Sequence, residues 1–384
     1  MAFESNVLHT SHSHEKPKLQ DALSNLLDQG IQLPLVSVVV TAYNSEQFIH
    51  KTLYSVLEQN YPHFECIIVE DCATDQTLSI IETFIEETHD SRFSLVRHDV
   101  NGGQLASQIT GFLKSKGKFI IFLDADDLLL PDAIQTHLFF HLTISPVVAM
   151  TCLDSAMIDQ DGVLLSGHHR EVRPLFWPWL RPSPIQKHTD IYGESVNFWL
   201  VPPSSNNAVV MDDGYYWTTQ SFMMFRRDIL DLILPCQTVF FKICADYYLV
   251  RMVHAFNSTV FIQKTGGSYR IHQFNNYAHN ALTSADQQSG DYLKFNWQPV
   301  ELKRLACETI FNKYDQFTSI FGEFHTTRAL IQLNTQQLLT FRLMKNRVGY
   351  FMTLRYWIIF YIGIILNGTR KKCVRALRIL WAGY

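Results

Sequence analysis

Lys118–Ile134 reads KFIIFLDADDLLLPDAI, and the fold turns on this stretch. Phe119–Leu123 is an unbroken apolar run too short for a helix of ordinary length, so it reads as a strand buried on both faces. The run stops at Asp124-Ala125-Asp126-Asp127, and Pro131 then begins a helix. A buried strand that delivers three carboxylates to its carboxyl end fits a parallel sheet, in which ligands gather beyond the strand ends.

Toward the N terminus the same grammar repeats. Ser37–Thr41 (SVVVT) is a β-branched strand, after which Ser45 is predicted to cap a helix burying Phe48, Ile49, Leu53, Val56 and Leu57, with Tyr61-Pro62 as its stop. Phe64–Val69 is a second strand, and Thr74 is predicted to open a helix carrying Leu78, Ile81 and Ile85. Phe93–Arg97 is a third strand, and Asn101-Gly102-Gly103 turns into a helix that ends near Gly117. Strands separated by helices predict an α/β protein with a doubly wound, mostly parallel, Rossmann-like sheet. The expected divisions are a tail over 1–33, a first half of the α/β domain over 34–150, a second half over 151–283 and a helical, basic region over 284–384.

With 384 residues, 47% hydrophobic and 18% charged, the chain is neither disordered nor of low complexity. Its net charge of -4 argues against nucleic acid as a partner. The charge is unevenly spread, since Phe324–Tyr384 contains no Asp or Glu but ten Lys and Arg. Within it, Thr369–Trp381 (TRKKCVRALRILW) puts Lys371, Arg375 and Arg378 on one helical face and Val374, Leu377 and Trp381 on the other, the pattern of a helix lying on an anionic membrane. The unbroken apolar stretch Tyr356–Leu366 is shorter than the ~20 residues that span a bilayer. Seven scattered cysteines without CxxC spacing, and a polar Met1–Gln32 without a secretion signal, predict a cytoplasmic protein attached peripherally to the inner face of a membrane.

Four clusters carry candidate chemistry. Thr41, Tyr43 and Asn44 end the first strand and Glu70-Asp71 end the second, where polar groups can line a slot for a nucleobase; Asp71 suits turn or cap duty equally well. At Asp124–Asp127 three mutually repelling carboxylates call for a cation, and hard oxygen ligands suit Mg²⁺ or Mn²⁺ rather than zinc. Asp246 begins an apolar helix, a place for a general base or for an ordinary helix-terminal acid. In Gly266–His272 (GGSYRIH), Arg270 is a candidate phosphate contact, while His272 is either a metal ligand or a structural histidine.

Residues 36–132 resemble the inverting family 2 glycosyltransferases, which have the GT-A fold. The resemblance rests on VSVVVTAYN (Val36–Asn44), VEDCATDQT (Val69–Thr77) and NGGQLASQITGFLKSKGKFIIFLDADDLLLPDAI (Asn101–Ile134), in that order and spacing. SFMMFRRDIL (Ser221–Leu230), ADYYLVR (Ala245–Arg251) and YRIH (Tyr269–His272) follow as the family's second half does. The resemblance implies a metal-dependent enzyme that adds single sugars. Asp71 would contact the base of a nucleotide-diphosphate sugar, UDP-sugar first among them. Asp124 and Asp126 would hold ribose and metal, Asp246 would be the catalytic base, and His272 would lie near the diphosphate. Cys72-Ala73 replaces the family's usual Gly-Ser, and Ala245 stands where an acid often precedes the base. The implied partners are a glycan or polyprenyl-linked acceptor, the anionic membrane surface and a second copy of the chain. A nicotinamide dehydrogenase would need G-x-G-x-x-G where this chain has TAYNSE, and a nucleotidyltransferase would need a Gly-rich first loop. A catalytically degenerate scaffold subunit is the non-enzymatic alternative.

Overall fold

A computed structural model describes residues 24–168, 185–201, 218–235, 245–273 and 299–333, together with Asp21, Pro203 and Asn275. The Pro- and Trp-rich insert at 174–184, the linker at 284–290 and the basic segment at 350–381 lie outside the described residues.

Eleven strands form one sheet. They are β1 (Val36–Ala42), β2 (Phe64–Glu70), β3 (Phe93–Arg97), β4 (Phe119–Asp124), β5 (Leu128–Leu129), β6 (Met150–Ile158), β7 (Leu164–Ser166), β8 (Gln186–Thr189), β9 (Ser195–Val201), β10 (Met223–Arg226) and β11 (Thr259–Arg270). Their order is β3-β2-β1-β4-β10-β6-β11-β9-β8, with β5 added to β11 and β7 to β6. β3, β2, β1 and β4 are parallel to one another, as are β6 and β11. β10 enters between β4 and β6 and runs antiparallel to both. The sheet is therefore the expected α/β core, continuous across residue 150.

The apolar strand runs explain the layering. On β1, Val36, Val38 and Val40 face Ile49, Leu53 and Val56 of α1 (Ile49–Leu57), Ile81 and Phe84 of α2 (Thr77–Thr88), and Ile134 and Leu138 of α4 (Ala133–Thr143). Val39 points the other way, toward Leu105 and Phe112 of α3 (Gln104–Lys114) and the core that includes Leu249 and Val253 of α6 (Ala245–Phe256). Burying a side chain of this size contributes about 1.5–3 kcal/mol, so a strand covered on both faces is strongly held. α3 approaches β1 so closely that a Cβ on Gly111 would lie 2.2 Å from Val39 Cγ1.

Two expected helix starts move. α1 begins at Ile49 and α2 at Thr77, each without a side-chain cap. The Ser45 N–H donates to Thr77 Oγ1 at 2.8 Å, and Thr74 donates through its backbone N–H to Asn44 Oδ1 at 2.8 Å. Both residues tie one connecting loop to the other instead of starting a helix.

α5 (Arg227–Ile233) leads from β10 toward the core of the second half. The described part of the C-terminal region forms α7 (Pro299–Asn312), α8 (Tyr314–Phe321) and α9 (Glu323–Leu333). These helices dock on α6: Phe256 lies 4.7 Å from Phe317 and 5.0 Å from Phe321 between ring centroids. Tyr248 donates to the Ile233 carbonyl at 2.6 Å and meets Thr309 Oγ1 at 3.0 Å. Among the described residues no helix is long and apolar enough to cross a membrane, and Cys66 and Cys72 are free thiols.

Candidate active site

Register places the site. Thr41 lies opposite Asp124 and Ala42 opposite Glu70, so the carboxyl ends of β1, β2 and β4 finish side by side. Asn44 is in the left-handed region (φ 47) and its carbonyl oxygen accepts from the Thr74 hydroxyl at 3.3 Å as well as from the Thr74 N–H. Tyr43 is exposed beside it.

Asp71 is buried and heavily engaged. Its Oδ1 accepts from the Gly102 N–H and its Oδ2 from the Gly103 N–H, each at 2.8 Å, while His98 Nδ1 lies 2.7 Å from Oδ1. His98 Nε2 in turn meets Thr110 Oγ1 at 2.9 Å. Asp71 therefore performs the turn duty that its position allowed, fixing the loop in front of α3. The remaining lone pairs of the carboxylate are what a nucleobase could use.

The acid turn after β4 divides its carboxylates among different tasks. Asp124 Oδ1 accepts from Gln104 Nε2 at 2.8 Å and from Thr41 Oγ1 at 3.4 Å, and the Asp124 N–H donates to Ser221 Oγ at 3.1 Å. Burial, then the Asp126 charge, then Asp246 push the Asp124 carboxyl up to about 7. Asp126 Oδ2 lies 2.9 Å from His272 Nε2, and the His272 ring leans on Phe48 at 4.7 Å. Asp127 is fully buried and accepts the Arg270 N–H at 3.0 Å; burial first, and its acid neighbours next, hold it well above the carboxylate range.

Arg270 is enclosed, donating from Nε to the Asp126 carbonyl at 2.9 Å and from Nη1 to the carbonyls of Asp159 and Gln160 at 3.1 and 3.2 Å. It braces the acid turn, and its Nη2 is buried without a hydrogen-bond partner.

Asp246 occupies the first turn of α6, half-buried, with Oδ1 accepting the Tyr247 N–H at 2.8 Å. Its charge is one of those that push the Asp124 carboxyl up. Gln104, which sequence reasoning passed over, links Asp124 to the start of α6: its Nε2 donates to Asp124 and its Oε1 accepts from the Ala245 N–H at 3.3 Å. The available signal was position, because Gln104 is the first residue after the Gly102-Gly103 turn. Ser221 and His98 were also missed, and neither carries a sequence mark that separates it from an ordinary polar residue.

Asp126 and His272, which meet at 2.9 Å, are the pair that could offer an oxygen and a nitrogen to a divalent cation. Among the described residues no group of three His, Cys, Asp or Glu converges, so an ion here would keep open positions for water or ligand oxygens. Asp126 and His272 are the residues that could hold it, with Asp124 adjacent.

The strand ends of an α/β sheet gather acids and loop amides, and the chain belongs to glycosyl transferase family 2, whose description matches residues 37–234. It is 35% identical to TuaG of Bacillus subtilis (strain 168) over 132 residues, 34% of this chain and 51% of TuaG. It is 32% identical over 108 residues to the Escherichia coli UDP-Glc:alpha-D-GlcNAc-diphosphoundecaprenol beta-1,3-glucosyltransferase WfaP, covering 28% of this chain and 41% of WfaP. The chain thus spans about half or less of the length of these relatives. Among solved structures it is similar to S. aureus TarS in complex with UDP-GlcNAc, with 16% identity, a TM-score of 0.48 and 89% of each chain covered.

Proposed function

We propose that the protein is an inverting glycosyltransferase that moves one sugar from a nucleotide-diphosphate sugar, a UDP-sugar, to a hydroxyl of a glycan or lipid-linked acceptor. The observation that carries this is the junction at the carboxyl end of β4, where Gln104 links the Asp124 carboxylate to the N–H of Ala245, the residue before Asp246. The acceptor class is supported by WfaP, whose name specifies UDP-glucose and a diphosphoundecaprenol-linked acceptor.

Thr41, Tyr43, Asn44 and Asp71 line the base and ribose side, and Asp124 takes the ribose hydroxyls. Asp126 and His272 would hold a divalent ion, Mn²⁺ or Mg²⁺, which when bound would supply positive charge for the departing diphosphate. Asp246 takes the proton of the acceptor hydroxyl. The hydroxyl oxygen then bonds to the anomeric carbon from the face opposite the diphosphate, whose bond breaks, so the sugar inverts. The place of Asp246 in the first turn of α6 fixes where its carboxylate sits, at the helix end that favours negative charge. The basic region at 350–381 would hold the enzyme on an anionic membrane surface, where lipid-linked acceptors are presented.

The test is a panel of nucleotide sugars with and without Mn²⁺, scored by thermal shift and slow donor hydrolysis. A UDP-sugar should give a metal-dependent shift and turnover; binding without any turnover would favour a scaffold subunit. Ending the chain near Gly349 should abolish salt-sensitive co-sedimentation with anionic liposomes and leave donor hydrolysis intact.

A further inference from the structure

We propose that Gln104 is the positioning residue that fixes Asp246 against the donor-side carboxylate Asp124, an assignment that rests on the glycosyl-transfer reading above. Its placement is built by the chain before it. Asp71 clamps the Gly102 and Gly103 amides, and Gly103 adopts φ 81, a backbone state favouring glycine. The turn therefore delivers residue 104 at one point, the first position of α3.

From there the side chain spans two elements far apart in sequence. Its Nε2 donates to Asp124 at the end of β4, 20 residues on, and its Oε1 accepts from Ala245, 141 residues on, at the start of α6. The first N–H groups of a helix have no partner inside the helix, so Gln104 supplies an external cap to α6 one residue before Asp246. A primary amide is suited to this because it donates at one end and accepts at the other. It also carries no charge, so it steadies Asp124 without forming an ion pair that would compete for Asp246. Released from this bridge, the start of α6 is free to shift, and a displacement of about 1 Å at a reacting group can cost on the order of 100-fold in rate.

Two variants of the full chain separate the two hydrogen bonds. Gln104→Met keeps the shape and removes both; Gln104→Glu keeps an acceptor for the Ala245 N–H and removes the donor to Asp124. With Gln104→Met, kcat should fall roughly 10- to 100-fold while donor KM and the UDP Kd measured by calorimetry change less than about threefold. With Gln104→Glu, kcat should recover toward the parental value while donor KM and UDP Kd rise. Parental kcat in Gln104→Met overturns the proposal, as does an equal loss of kcat in both variants. If Gln104→Met does not fold, Gln104→Glu decides: reduced kcat at unchanged donor KM overturns the assignment. Asp246→Asn measured alongside separates the two levels. If it transfers at the parental rate, the base assignment fails and the proposal with it; if it is inactive while Gln104→Met is parental, only the role of Gln104 fails.

Discussion

In the proposed reaction Asp246 is the base and Asp126 a metal ligand, and the two should fail in different ways. Asp246→Asn keeps the shape and the helix start but removes the proton acceptor, so donor binding and Tm should hold while transfer falls by roughly two or more orders of magnitude. Single-turnover transfer measured beside UDP calorimetry reads both quantities. Asp126→Ala removes the partner 2.9 Å from His272 Nε2, and UDP affinity should then lose its dependence on Mn²⁺. Calorimetry with and without the ion checks this; unchanged metal dependence would assign the ion to other ligands. At this scale the sequence was a partial guide. Asp124, Asp126 and Asp246 were legible because an acid that interrupts an apolar run, or opens an apolar helix, stands out. Gln104 was not, because its meaning lies in partners 20 and 141 residues away. The bracing bonds of Arg270 were hidden for the same reason: nothing in YRIH reveals that the Asp159 and Gln160 carbonyls accept from its guanidinium.

The critical contact between elements is that of α3 with β1. Gly111 allows the helix to lie against the strand, and a methyl there would sit 2.2 Å from Val39 Cγ1. Gly111→Ala should therefore destabilise the fold by about 1–3 kcal/mol through overpacking. The same change should lower transfer, because α3 carries Gln104 at its first position. Val39→Ala makes room for the added methyl, so the double variant should be more stable than the sum of the single changes implies. Urea unfolding of the three variants measures that coupling, and strict additivity would show that the clash is relieved elsewhere. The strands and helices of residues 34–143 were legible because buried parallel strands are uniform apolar runs separated by helical periods. The helix starts were less so: Ser45 and Thr74 carry the chemistry of caps, but here their backbone N–H groups reach the neighbouring loop.

Across the whole molecule, three buried histidines set an acid limit. Burial holds His137 well below its usual range, and it holds His141 and His254 down to about 4. An unfolded histidine takes up its proton near 6.5, so between there and 4 the unfolded chain binds more protons than the folded one. Stability from these residues is thus complete above about 6.5 and lost as pH falls toward 4, on the order of 3 kcal/mol for each of His141 and His254. Asp124 and Asp127, with raised values, act in the opposite direction, so a difference measurement is needed. The drop in Tm from pH 7 to pH 5 should be smaller in His254→Gln than in the parent. An equal drop would mean that His254 is already protonated in the folded protein.

β10 has a further consequence, for what happens when the gene is cut. Its four residues close the free side of β4 and join it to β6, although they lie about a hundred residues after β4 in the chain. A fragment ending at Met150 would hold every element of the first half yet present β4 as a bare, apolar edge able to recruit strands from other molecules. Light scattering should find that fragment in aggregates, and a version extended by a tethered Ser221–Leu234 segment should be dispersed. The two halves drawn at residue 150 share one sheet, so neither closes its edge alone.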